Sequence, residues 1–239
     1  MRPADKPDNP DIPMARVPPC PSGSSGFGNA SRFIGETVRT FGLPLFWPYA
    51  SFEAAVELAL NSCASVYRGQ DVRYGDGKPI VLVPGHLGGD VTLAPLSLWL
   101  HAIGYRPAKS NILININDQS LDEPMSAALR GAARRVGRKA VMIAFDTGLR
   151  AALRVAAIEQ EHVSDLIAFG LPDRLPPLPA GIRLHVIESS RRVPVVPDQD
   201  VHLVEGSRAL LPVNPAALRI LSEILRGIPI TLLDEMGGA

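Results

Sequence analysis

The sequence predicts an α/β fold, a mostly parallel sheet with helices on both faces. Three observations carry this. Short, continuous apolar runs recur from residue 79 onward, as expected of strands covered on both sides. Longer segments with apolar residues at helical spacing separate them. The chain, at 239 residues and 46% hydrophobic, is large enough to bury the core of one such domain.

The elements follow in order. Residues 1–28 are rich in Pro, Gly, Ser and charge, too poor in apolar surface to offset the entropy of ordering, and are expected to form a flexible tail. Residues 29–70 turn helical. Phe33, Val38 and Phe41 precede a break at Pro44, and Ser51-Phe-Glu-Ala-Ala-Val-Glu-Leu-Ala-Leu has helical periodicity. Between them Phe41, Leu43, Leu45, Phe46, Trp47 and Tyr49 form an apolar knot. This segment is expected to be an extra helical layer on the main domain, or a partner or membrane-surface contact. Residues 71–232 are the α/β domain, and 233–239 a C-terminal tail.

Within that domain Pro79-Ile-Val-Leu-Val-Pro reads as the first strand and Val91–Ile103 as a helix ended by Gly104, with Asp90 or Thr92 as its cap. Residues 111–116, Asn-Ile-Leu-Ile-Asn-Ile, read as a strand or its end. Leu121–Arg135 is helical. Lys139-Ala-Val-Met-Ile-Ala-Phe is a strand, followed by a helix from Gly148 to about Glu159. Asp165–Phe169, Ile182–Ile187 and Asp200–Val204 are further strands. Pro215–Arg226 is the last helix, with Pro in its first turn. Ligand sites in such sheets lie beyond the carboxyl ends of the strands.

Composition excludes several function classes. Lys and Arg number 24, as do Asp and Glu, so no basic surplus favours nucleic acid. Cys20 and Cys63 have neither the context of a disulfide nor CxxC metal spacing. No motif implies a metal or cofactor. No run of about 18 apolar residues suggests a membrane span. The N-terminus has no apolar h-region, so the expected location is cytoplasmic.

Three segments resemble bacterial α/β-hydrolases of the lipase/esterase type. Val81-Leu-Val-Pro-Gly-His-Leu-Gly-Gly-Asp resembles their first strand and oxyanion loop. Val141-Met-Ile-Ala-Phe-Asp-Thr-Gly-Leu-Arg lies where they carry the G-x-S-x-G nucleophile elbow, a strained strand-to-helix turn. Val204-Glu-Gly-Ser-Arg-Ala-Leu-Leu-Pro-Val-Asn-Pro resembles the segment carrying their catalytic His. The likeness covers roughly residues 75–230 and implies their fold. The Pro-rich stretch Gly170–Gly181 leaves little room for their usual cap.

The resemblance also implies that the triad positions are degenerate. The nucleophile position is Asp146, the acid position Val193 or a neighbour, and the base position Arg208. A guanidinium stays protonated and cannot act as base. Glu188 and Asp198 are close enough in sequence to stand in for the acid. The oxyanion-loop equivalents are His86 and Thr147. Related dehalogenases and epoxide hydrolases use an elbow Asp as nucleophile, but they need a His-activated water. Here His86 is the candidate acid/base partner of Asp146. His101, His162, His185 and His202 read as structural.

Three functions remain open. One is a pseudo-hydrolase that binds, scaffolds or regulates, with a protein or an apolar small molecule as partner. Another is a lyase, isomerase or cyclase using Asp146 with His86. The third is an esterase with a displaced nucleophile, Ser190 or Ser207. Asp146 and Arg208 are expected to face each other as a carboxylate–guanidinium pair, because nucleophile and base converge in this fold.

Overall fold

The computed structural model describes residues 64–68, 72–116, 118–191 and 200–229. The expected N-terminal tail, most of the helical segment 29–70 with its Phe33, Phe41, Phe46 and Trp47, both cysteines, Val193, Asp198 and the C-terminal tail lie outside the described residues.

Six parallel strands form one sheet: β1 (Pro79–Val83), β2 (Arg106–Lys109), β3 (Ala140–Phe145), β4 (Val163–Phe169), β5 (Arg183–Ser189) and β6 (Asp200–Val204). Their order is β2-β1-β3-β4-β5-β6. Four α-helices connect or follow them: α1 (Ala94–Ala102), α2 (Asp122–Val136), α3 (Gly148–Ile158) and α4 (Pro215–Gly227). The chain crosses from β1 to β2 on one side and returns to β3 on the other. The direction of winding therefore reverses between β1 and β3, and the region beyond their carboxyl ends is where sheets of this kind place ligand sites.

The strands are apolar throughout because both faces are covered, as in parallel sheets generally. Alternate residues feed two cores. Ile80, Leu82, Val141, Ile143, Ile167 and Ile187 pack with Leu96, Leu100, Leu218 and Leu221 of α1 and α4. Val81, Val83, Met142, Leu166 and Val186 pack with Met125 and Leu129 of α2 and with Leu149 and Leu153 of α3. A 3-10 turn at Ser65–Arg68 joins the first core through the fully buried Val66. Trp99 Nε1 donates to the Val66 carbonyl at 2.9 Å, and the Tyr67 hydroxyl donates to the Val213 carbonyl.

The buried Lys78, just before β1, places Nζ against the end of α4 and donates to the carbonyls of Leu225 (3.0 Å) and Ile228 (2.6 Å). Those carbonyls have no helical partners of their own. Burial pulls the Lys78 ammonium below its ordinary pKa.

Two expectations are corrected. Residues 111–116 do not form a strand; the second strand is the shorter Arg106–Lys109. The alternating Ile and Leu there suggest a buried strand, but Leu113, Ile114 and Ile116 face solvent in a loop. Asp90 does not cap a helix. The helix entry is a 3-10 turn at Asp90–Leu93 preceded by Gly89, with no side-chain cap. Asp90 instead accepts from the Ser110 N–H (3.1 Å), the Ser110 hydroxyl (2.7 Å) and the Asn111 N–H (3.0 Å). The Thr92 hydroxyl donates backwards to the Gly89 carbonyl. Loop closure thus outcompetes capping for the Asp90 carboxylate.

Toward the amino ends of β4, β5 and β6 a polar stripe crosses the sheet. Asp165 lies opposite Arg183, and His185 opposite Asp200. Arg183 Nε is 2.9 Å from Asp165 Oδ1. His185 stands between two carboxylates, 3.7 Å from Asp165 and 3.3 Å from Asp200, and His202 is 3.4 Å from Asp200. The adjacent Asp165 carboxylate raises the His185 pKa above its ordinary 6.5, against the opposing effect of burial. Burial alone would push the Asp165 carboxyl up. The neighbouring His185 ring and the Arg183 charge outweigh it and hold the group below its ordinary range.

Candidate functional site

The region beyond β1 and β3 is organised by the turn that ends β3. Asp146 leaves the strand with φ +46°, a left-handed conformation that Asp tolerates better than most residues. Its N–H donates to the Phe169 carbonyl at 2.9 Å, which fixes the turn to the end of β4. Two residues on, Gly148 opens α3 where that helix crosses β1. A Cβ there would lie 2.3 Å from the Pro84 carbonyl oxygen, so only glycine fits. Ala144, at the first glycine position of the motif, is fully buried. The chain therefore turns tightly from β3 into α3, with Asp146 at the turn.

Arg208, at the start of a 3-10 turn (Arg208–Val213) after β6, reaches across to it. Its Nη2 donates to Asp146 Oδ1 at 2.6 Å and to the Leu171 carbonyl. Its Nε lies 3.6 Å from Glu188 Oε1. Glu188, at the end of β5, is completely buried; its oxygens accept from the Leu171 N–H (2.8 Å) and the Ser189 N–H (2.9 Å). One guanidinium therefore lies between two carboxylates, Asp146 half-exposed and Glu188 inaccessible. Charge-assisted contacts of this kind are the stronger hydrogen bonds.

Gly170 makes room for this. It follows β4 with φ +76°, and a Cβ on it would lie 2.5 Å from Arg208 Nε. Gly170 and the Leu171 carbonyl are site elements that sequence reasoning missed. The available signal was a glycine directly after a buried strand. Sequence placed Glu188 only as a stand-in acid; the structure puts it against Arg208.

The other candidates are placed as follows. His86 is exposed on the loop after β1. Asp146 bonds to Arg208 through its side chain and to Phe169 and Leu149 through its backbone. Thr147 immediately precedes α3, and its hydroxyl is buried without a hydrogen-bond partner. The helix start leaves the first backbone N–H groups without intrahelical acceptors. Ser190 is exposed after β5, with its N–H on the Val204 carbonyl. Ser207 immediately precedes Arg208. Gly170–Gly181 contains neither helix nor strand, so no cap is built from it.

Two joined loops beyond the sheet carry a rim of exposed apolar side chains. The loop after β1 and the loop 111–116 are joined by Leu87 N–H to the Asn115 carbonyl (2.8 Å) and Asn115 N–H to the Gly88 carbonyl (2.7 Å). The Asn115 side chain anchors both by donating to the Pro84 carbonyl at 2.6 Å. Leu87, Leu113, Ile114 and Ile116 project from these loops into solvent, Leu113 at 85% exposure.

No family model matches the chain, and no curated protein matches it. In fold it is similar to solved structures of α/β-hydrolase proteins. One is a member of the alpha/beta superfamily of hydrolases from Xanthomonas campestris pv. campestris, with TM-score 0.48 and 16% identity over 62% of this chain and 98% of that one. Another is a carboxylesterase from Mesorhizobium loti, with TM-score 0.45 and 16% identity over 64% of this chain and 90% of that one. A third is the bottromycin epimerase in complex with bottromycin A2, with TM-score 0.46 and 13% identity over 64% of this chain and 92% of that one. Among the described residues, no helix is long and apolar enough to cross a membrane.

Proposed function

We propose that this protein is a catalytically degenerate α/β-hydrolase-like protein with a binding, scaffolding or regulatory role. The observation that carries the reading is the Arg208–Asp146 contact. A permanent cation holds the elbow carboxylate at 2.6 Å, where a hydrolase needs a base that can take and return a proton. The apolar rim of Leu87, Leu113, Ile114 and Ile116 supports a binding role, since clustered exposed apolar side chains mark interaction surfaces. Its chemistry suits a protein partner or an apolar small molecule.

A repurposed enzyme using Asp146 with His86 is the competing reading, favoured by the retained φ of +46°, which still presents Asp146 above the sheet. Assays with p-nitrophenyl acetate and butyrate and a fluorophosphonate probe test for hydrolase chemistry remaining at the elbow. The expected result is turnover at the buffer rate and no label within residues 144–148. Turnover abolished by both Asp146→Asn and His86→Ala would establish the enzyme. Turnover abolished by Ser190→Ala or Ser207→Ala would establish a displaced nucleophile.

A further inference from the structure

At the opposite end of the sheet, the turn from α3 into β4 gathers Glu159, Glu161 and His162. Glu159 ends α3, with its N–H on the Val155 carbonyl. The His162 N–H returns to the Glu159 carbonyl at 2.9 Å, and the His162 carbonyl accepts from Ala140 N–H at 2.8 Å. The turn is thereby fixed to the start of β3. Within it, His162 Nδ1 lies 3.1 Å from Glu159 Oε2 and 3.5 Å from Glu161 Oε1, and the three atoms lie within 4.8 Å of one another.

We propose that this turn binds a borderline divalent transition-metal ion, with Zn2+ the representative, through Glu159, Glu161 and His162. Two observations beyond the acidic pair point to a ligand. The His162 side chain is only 6% exposed, and its Nδ1 has no hydrogen-bond partner although two carboxylate oxygens are close by. The oxygens lie close to the ring nitrogen without hydrogen bonding to it. That is the arrangement of ligands around a shared ion. The spacings agree: bonds of 2.0–2.1 Å in a tetrahedron place neighbouring ligand atoms about 3.3–3.4 Å apart, between the two distances seen.

The outer contacts also fit. Arg130 of α2 donates to Glu159 Oε1 at 2.5 Å, leaving Oε2 turned toward His162. Ligating carboxylates are commonly oriented by such partners. Imidazole with carboxylates is a ligand set for Zn2+ and its neighbours, and it differs from the all-oxygen cages of Ca2+. Glu161, two-thirds exposed, supplies the solvent side, where a water would complete the coordination. The bound ion would tie the end of α3 to the entry of β4 and, through Arg130, to α2.

The test is calorimetric titration of the untagged, EDTA-stripped chain with ZnCl2 in a non-coordinating buffer near neutral pH, with thermal unfolding in parallel. The expected result is one Zn2+ per chain, a rise in Tm with added Zn2+, and a four-coordinate Co2+ visible spectrum on substitution. Glu161→Gln, at an exposed position that leaves folding intact, is expected to weaken binding about tenfold or more and to remove the Tm response. His162→Gln is expected to abolish binding, with circular dichroism checking the fold. Absence of stoichiometric binding to the wild-type chain, or equal Zn2+ affinity in wild type and Glu161→Gln, would overturn the proposal.

Discussion

Arg208 concentrates the consequences of the site in one side chain. Removing it strips Asp146 and the Leu171 carbonyl of a donor and leaves the buried Glu188 without its nearest cation. Exposed ion pairs contribute up to about 1 kcal/mol, and Asp146 is half-exposed, so the Coulombic share is small. The buried neighbours enlarge it. Arg208→Ala is expected to cost about 1–2 kcal/mol in urea denaturation, with Asp146→Asn in that background restoring part of the loss. Restoration of none would separate Asp146 from the stability role. Gly170→Ala is expected to cost more than about 1 kcal/mol, from the positive φ and the guanidinium in its path. In the Arg208→Ala background only the backbone share should remain, so the double-mutant cycle measures the steric share. The Asp146–Arg208 contact was legible in the sequence because both positions fall in segments with recognisable neighbours. Gly170 was not, because its role depends on a side chain 38 residues away that crosses over it.

At the scale of elements, the strands of both cores read directly from their apolar runs, since two-sided burial leaves little else those residues could do. The failure lies at 106–116. Arg106-Pro-Ala-Lys has too few apolar residues to register as a strand, yet it pairs with β1 at the sheet edge. Asn-Ile-Leu-Ile-Asn-Ile has the strand pattern and is a loop. Periodicity reports apolar spacing, and an exposed apolar loop can have the same spacing as a buried strand. Asp90 decides the outcome by holding the chain at Ser110 and Asn111, where Asn111 takes φ +62°. Asp90→Ala is accordingly expected to leave the buried Ser110 without acceptors and to destabilise the fold by about 1–3 kcal/mol. Hydrogen exchange should accelerate locally at 85–89 and 110–116, and uniform acceleration across the sheet would contradict a local clamp.

For the whole molecule, the polar stripe across β4, β5 and β6 sets a pH dependence. His185 has a raised pKa in the folded state. Its contribution to stability is therefore complete below the unfolded value near 6.5 and is lost as pH rises through the folded value. Asp165 has a lowered pKa, so its contribution is present above the ordinary carboxylate value and is lost in acid. Unfolding free energy is thus expected to decline on the alkaline side of 6.5, and His185→Gln is expected to flatten that decline. An unchanged profile in the variant would assign the pH dependence elsewhere. The Lys78 contact has a consequence in time. Its ammonium, at the foot of the first strand, needs carbonyls that lie 147 and 150 residues later. During synthesis that strand leaves the ribosome long before α4 exists, so the nascent chain must keep β1 and its charged foot in water, or on a chaperone, until the final helix emerges to receive it.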